Sequence, residues 1–240
     1  MREFFATYDF LTLSLLFAVP ALLGWWLRPD LRPRMQAGAL LSLPFALTER
    51  FFYPVYWSPT FVFDLIHRIG FGIEDLLFVA AFGAFAVTGP CLVTGERIER
   101  CAPPQAWRRA VAAVAGLIAT AVALHTLGLS MYSATIATEL VAVALVLTRR
   151  PDLCRAALTG GLVVTAIYGA ICLLYEALLP GVFERVWHTE GLFNRTVAGV
   201  PLEELVYGAA SGALATVVLP WLRGERYART GLAGAAVATR

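Results

Sequence analysis

Two pairs of neighbouring acids, Glu74-Asp75 and Glu203-Glu204, each open an apolar stretch of the chain. A glycine lies four residues before the first acid of each pair (Gly70, Gly199), and an aromatic follows that acid by four (Phe78, Tyr207). A tryptophan precedes it by 17 residues in one case (Trp57) and 16 in the other (Trp187). A further glutamate stands 25 residues (Glu49) or 27 residues (Glu176) upstream. Carboxyl groups held together in a medium of low dielectric cannot all ionise, so some keep their protons near neutral pH. Such a cluster can give a proton to a substrate and take one back. Trp57, Phe78, Trp187 and Tyr207 are candidates to line the chamber, where ring faces would stabilise a passing carbocation. Arg50, beside Glu49, is expected to pair with one acid and keep it ionised.

A plainer reading exists for each feature. Pro201 followed by Glu203 and Glu204 is also an ordinary helix start, with proline in the first turn and acids against the positive end of the dipole. The aromatics, taken singly, fit an interfacial belt. Two facts favour chemistry: the motif occurs twice, and ionisable groups in apolar spans are costly without a role or a partner. Glu139, deep in another span, reads equally as a structural acid or a second proton-handling group. His125 reads as a packed residue, and His67 and His188 as loop residues near the acids.

These residues sit in a chain that is 59% hydrophobic and 15% charged over 240 residues, with a mean hydropathy of +0.70. That is too little charge to coat a water-soluble domain, which carries roughly a quarter of its residues charged. The apolar residues fall in blocks of about 20, the length that crosses a hydrocarbon layer. The blocks are continuous and do not alternate, so helices are expected and not barrel strands. The expected fold is an all-α membrane protein of seven spans, at 8–27, 36–57, 71–93, 107–127, 131–148, 155–178 and 198–222. Breaks at Arg28-Pro29-Asp30, Ser58-Pro59, Ala102-Pro103-Pro104, Arg150-Pro151-Asp152 and Leu179-Pro180-Gly181 separate them. Four cysteines without a C-x-x-C pair and three scattered histidines predict no metal site.

The chain has no lysine, and its arginines divide unevenly. Fourteen fall in alternate connections and the C-terminal tail, against four on the other side, with Arg50 inside a span. This bias predicts an outside N-terminus and a cytoplasmic C-terminus, in the inner membrane if the cell is bacterial. The doubled motif divides the chain into a three-helix repeat at 1–93, a linker helix at 94–130, a second three-helix repeat at 131–223 and a tail at 224–240. Both repeats face the same way, so a shared site is expected between them. The six carboxylates are expected at comparable depth.

The pattern resembles the small flavin-independent lycopene cyclases, whose halves each carry a helix-opening P-x-E-[ED]-x-x-[aromatic] motif. Pro201-Leu202-Glu203-Glu204-Leu205-Val206-Tyr207 matches it fully, and Gly72-Ile73-Glu74-Asp75-Leu76-Leu77-Phe78 has glycine in place of proline. The resemblance implies cyclisation of the linear end groups of lycopene without net redox change and without a cofactor. It also implies Glu74 and Glu203 as acid and base in unassigned order, with Asp75 and Glu204 tuning them. The partners implied are a linear carotenoid and the bilayer; a homo-oligomer is compatible, and no nucleic acid is expected. No G-x-G-x-x-G fingerprint for a flavin fold is present. The E-E-x-x-x-R pattern of glutamate-type intramembrane proteases fails at Gly208. A proton-coupled transporter or carrier using the same acids is the alternative from another functional class.

Overall fold

The structure, a computed structural model, describes residues 2–101 and 107–228, with side chains from Phe5 onward. The expected break at Ala102-Pro103-Pro104, the Arg2 side chain, and tail residues 229–240 with Arg229 and Arg240 lie outside the described residues.

The chain runs through α1 (Arg2–Thr7), α2 (Asp9–Leu27), α3 (Arg32–Ser42), α4 (Glu49–Phe52), α5 (Leu65–Ile69), α6 (Ile73–Ala86) and α7 (Gly89–Thr94). Strand β1 (Arg97–Arg100) precedes α8 (Trp107–Thr126), α9 (Met131–Arg149), α10 (Cys154–Leu178) and α11 (Val182–Val186). Strands β2 (Thr196–Val197) and β3 (Val200–Pro201) lead into α12 (Leu202–Arg223), and β4 (Glu225–Ala228) follows. Among the described residues, five helices are long and apolar enough to cross a membrane: α2, α8, α9, α10 with its leading turn, and α12. A sixth crossing results if Val62–Ile69 and Ile73–Ala86, bent by 92°, form one broken span. The chain is therefore an all-α, multi-pass membrane protein, with two small two-stranded sheets at its ends.

The predicted span at 36–57 departs most from expectation. It is not one α-helix but α3, a 3-10 segment at Leu43–Thr48, and α4, of eleven, six and four residues in turn. Pro44 explains the change, because its ring would meet the carbonyl one turn back and it offers no N–H to continue the ladder. The tighter 3-10 winding rises about 2.0 Å per residue against about 1.5 Å in an α-helix. Six such residues recover about 3 Å of length, so this rod nearly matches the 25 residues of α10.

Close packing sets the frame of the site. Gly38 of α3 lies against Gly83 of α6, and Gly160 of α10 against α12 at Gly212 and Thr216. A Cβ at either Gly83 or Gly212 would sit within 3.0 Å of backbone carbonyl oxygen on the facing helix. Such approaches are how small residues hold membrane helices together. Aromatic rings fill the space between the two helix groups: Phe17 meets Tyr168 at 4.7 Å and Phe78 at 4.9 Å between ring centroids.

One end of the bundle collects the arginines. Arg28 and Arg150 each reach forward two residues to Asp30 and Asp152 through two hydrogen bonds of 2.7–2.9 Å. Arg34 is buried and donates to Glu225 Oε2, the Tyr227 hydroxyl and the Val87 carbonyl. Strands β1 and β4 pair antiparallel beside them. Burial holds the Tyr227 phenol protonated, its pKa pushed up to about 12. Arg68, Arg185 and Arg195 lie at the other end with the acid pairs, in the turns that bracket α6 and α12.

Candidate active site

At the acid end the chain doubles back on itself. Trp57 and Trp187 form an isolated antiparallel bridge, with ring centroids 5.1 Å apart. The hydrogen bonds around it are reciprocal: Ser58 N–H donates to the Val186 carbonyl, and His188 N–H donates to the Tyr56 carbonyl. Gly70 and Gly199 both take positive φ, 86° and 85°, in the turns before the acid pairs. A side chain there would be strained, which accounts for a glycine at each place.

The two acids of each pair behave differently. Glu74 is fully buried, and its Oε1 accepts from Val62 N–H at 2.6 Å. Glu203 is also fully buried, and its Oε1 accepts from Asn194 N–H at 3.0 Å. Each first acid thus ties down the loop that precedes its helix. Their second oxygens, Glu74 Oε2 and Glu203 Oε2, have no hydrogen-bond partner among the described residues. Neither glutamate lines the apolar cavity between the helices.

Asp75 and Glu204, the second acids, do line it. Asp75 Oδ2 accepts from Gly72 N–H at 2.6 Å, closing a capping box at the start of α6. Pro201 at the same place before α12 has no N–H to offer, so Glu204 is not drawn into a cap. Instead Glu204 accepts from the Tyr56 hydroxyl (2.6 Å), the Tyr168 hydroxyl (2.6 Å) and the Trp187 indole N–H (2.8 Å). The glycine-for-proline difference between the motifs therefore has a direct structural consequence.

Glu49 joins the cavity from α4, accepting from Trp57 Nε1 at 2.6 Å. Asp75 lines the same cavity, so the two carboxyls face a common space. All four aromatics singled out in the sequence, Trp57, Phe78, Trp187 and Tyr207, line the same cavity.

Glu176 and Arg50 stand apart from this cluster. Glu176 Oε1 accepts from Gly181 N–H at 2.6 Å, and the residue is outside the cavity lining. Arg50 is exposed, lies 5.8 Å from the Phe51 ring centroid, and makes no ion pair with the acids among the described residues. Of the six acids expected at comparable depth, Glu49, Asp75 and Glu204 line the cavity, and Glu74, Glu176 and Glu203 do not. Spacing paired Glu49 with Glu176, yet in space Arg50 packs on Gly70 as Glu176 packs on Gly199.

Glu139, read from the sequence as a structural acid or a second proton-handling group, also lines the cavity, and its Oε1 accepts from the Ser211 hydroxyl at 2.7 Å. The only sequence signal for it is an acid in the middle of an apolar span. The cavity has a volume of about 220 Å³ and is walled mainly by apolar side chains of α3, α6, α8 and α12. It follows α12 from Glu204 to Leu222, about 27 Å of helix. The acids occupy one end of a long apolar slot.

Residues 130–222 match the lycopene cyclase family model. The matched segment holds α9 to α12, and with them Glu139, Glu176, Trp187, Glu203, Glu204 and Tyr207. Glu49, Trp57, Glu74, Asp75 and Phe78 fall outside it. No curated protein and no solved structure matches the chain.

Proposed function

We propose that this chain is a lycopene cyclase, an isomerase that forms ionone-type rings on a linear carotenoid by adding and removing a proton, without a cofactor. The observation that carries the reading is the convergence of three carboxyls, Glu49, Asp75 and Glu204, at one end of a long apolar slot. The family match over residues 130–222 supports the same chemistry.

In this reading the slot admits a polyene end-first, and its terminal double bond meets the acids. Asp75 accepts a backbone N–H in the first turn of α6, where the helix dipole favours negative charge. Glu49 is assigned as the proton donor, because its carboxyl is held by the neutral Trp57 indole and not by a backbone N–H at a helix start. Protonation of the terminal double bond leaves a tertiary cation, and attack by the neighbouring double bond closes the ring. Glu204, with three of its lone-pair positions taken by hydroxyl and indole donors, is the fixed counter-charge to the cation. The rings of Trp57, Phe78, Trp187 and Tyr207 face the same charge. Glu74 and Glu203 become positioning residues that hold the loops over the site.

The same reading includes seven spans, with Arg32–Phe52 as the second, and two parallel three-helix repeats at 1–93 and 131–223 joined by a linker at 94–130. Reciprocal bonding about Trp57 and Trp187 favours it, as do the matched Arg28–Asp30 and Arg150–Asp152 pairs and the paired glycine contacts. A two-fold axis along the membrane normal relates such elements. The arginine-rich end, including the start of the 224–240 tail, is then cytoplasmic and the acid end outside.

The test is expression in a host that accumulates lycopene, with products separated by chromatography. Monocyclic or bicyclic carotenoids are expected. Unchanged lycopene with the protein present in the membrane would overturn the reading, and proton-coupled flux of a solute in vesicles would favour a transporter.

A further inference from the structure

Glu139 is the acid that the proposed donor and counter-charge leave unexplained. It lies on α9 and faces the same cavity, with Oε1 held by Ser211 and Oε2 buried without a hydrogen-bond partner among the described residues. Ser211 follows Glu204 by seven residues on α12, two turns or about 10 Å deeper in the slot. The surrounding wall is apolar, with Leu214, Ala215 and Ile118 among its members. A free carboxyl oxygen there is costly, and one bond to a serine does not offset it.

Ring closure needs two proton transfers at different carbons. The proton is added at the inner carbon of the terminal double bond, leaving the cation on the outer, dimethyl-bearing carbon, and after closure a different proton leaves a ring carbon nearer the polyene. Glu49 and Asp75 sit at the acid end of the slot, so the acceptor is sought along the slot on the polyene side. Glu204 is at the donor's level, and its lone pairs are largely taken by Tyr56, Tyr168 and Trp187. Glu139 has a free oxygen at the deeper level.

We infer that Glu139 is the base that removes the ring proton, and that its position on α9 sets which ring double bond forms. This rests on the cyclase reading above. The step balances: a ring C–H bond breaks, its electron pair becomes the new C=C bond and quenches the cation, and the proton passes to Glu139 Oε2. The Ser211 hydroxyl, which donates to Glu139, and Tyr207, one turn nearer the acid end on α12, both line the cavity and give a route for the proton's return.

The test uses the full chain in lycopene-containing membranes in heavy water, comparing wild type with Glu139→Gln and Glu139→Asp. Glutamine keeps the shape and can still bond Ser211. Glu139→Gln is expected to lose cyclic product by about 100-fold or more, while unreacted lycopene gains deuterium at the inner carbon of its terminal double bond by reversible protonation. Glu139→Asp retains a base one methylene shorter and is expected to slow turnover and shift the ratio of ring isomers. Unchanged rate and isomer ratio in the aspartate variant would overturn the assignment, even if the glutamine variant failed to accumulate. So would a glutamine variant that loses both product and deuterium exchange, since protonation would then be the step lost. If wild type itself forms no ring, it is the cyclase reading that fails.

Discussion

Trp57 and Trp187 face each other across the antiparallel bridge, and each indole N–H points to a carboxyl on its own side, Glu49 at 2.6 Å and Glu204 at 2.8 Å. The bridge thereby fixes the spacing of Glu49 and Glu204. Neither carboxyl can drift toward solvent without breaking a buried hydrogen bond and disturbing the ring stack.

Replacing Trp187 by Phe keeps the ring against Trp57 but removes one of the three donors to Glu204. Lycopene conversion is expected to fall about tenfold to a hundredfold, in keeping with loss of one preorganised donor. The lost bond to a buried charge should cost about 1.5–3 kcal/mol of stability. Thermal unfolding in detergent and a single-turnover assay measure the two separately, and an unchanged rate would remove Glu204 from the cation's environment.

The two acids of each pair should separate by phenotype. Glu49→Gln, Asp75→Asn and Glu204→Gln are each expected to reduce conversion by about 10²-fold or more, and Glu204→Gln also to lose about 1.5–3 kcal/mol of stability, because both oxygens of Glu204 accept and an amide NH2 cannot. Glu74→Ala and Glu203→Ala remove the acceptor for a buried loop N–H and should cost about 1–3 kcal/mol of stability. Their conversion is expected to fall less when assayed well below the unfolding temperature. The reverse ordering in a parallel assay of all five would return the proton chemistry to Glu74 and Glu203.

The acid pairs and their aromatics were legible in the sequence because type and spacing alone identify them. Which acid of a pair faces the cavity was not. Neighbouring residues on a helix point about 100° apart, so the choice depends on where α9 and α10 stand, and that is tertiary information. Glu49 and Glu176 stand at unequal counts before their acid pairs, 25 and 27 residues, and their side chains bond different partners, the Trp57 indole and the Gly181 N–H. Glu139 was visible as an isolated acid, but its partner Ser211 is 72 residues away in sequence. Nothing short-range announces that contact.

Pro201 keeps Glu204 free of helix capping, and Pro201→Ala tests this. Alanine restores an N–H at the N-cap position, where the side chain three residues on can reach back to accept from it. Glu204 would then be drawn toward the cap as Asp75 is drawn to Gly72. Conversion is expected to drop severalfold while stability stays within about 1 kcal/mol. Full activity in this variant would mean that the three donors around Glu204 hold it without help from the proline.

Gly83 governs the width of the slot. Its Cα side faces α3 so closely that an added Cβ would meet Ser42 and lie 2.7 Å from the Gly38 carbonyl oxygen. Gly38, Ser42 and Gly83 all line the cavity, so Gly83→Ala must push α3 away from α6 and open that wall. Overpacking of this kind should lower stability by about 1–3 kcal/mol. Gly116 in α8 has open space around it and is the matched control. There, alanine should be neutral or stabilising by up to about 1 kcal/mol through helix propensity. If Gly83→Ala and Gly116→Ala unfold at the same temperature, the α3–α6 contact does not set the cavity wall.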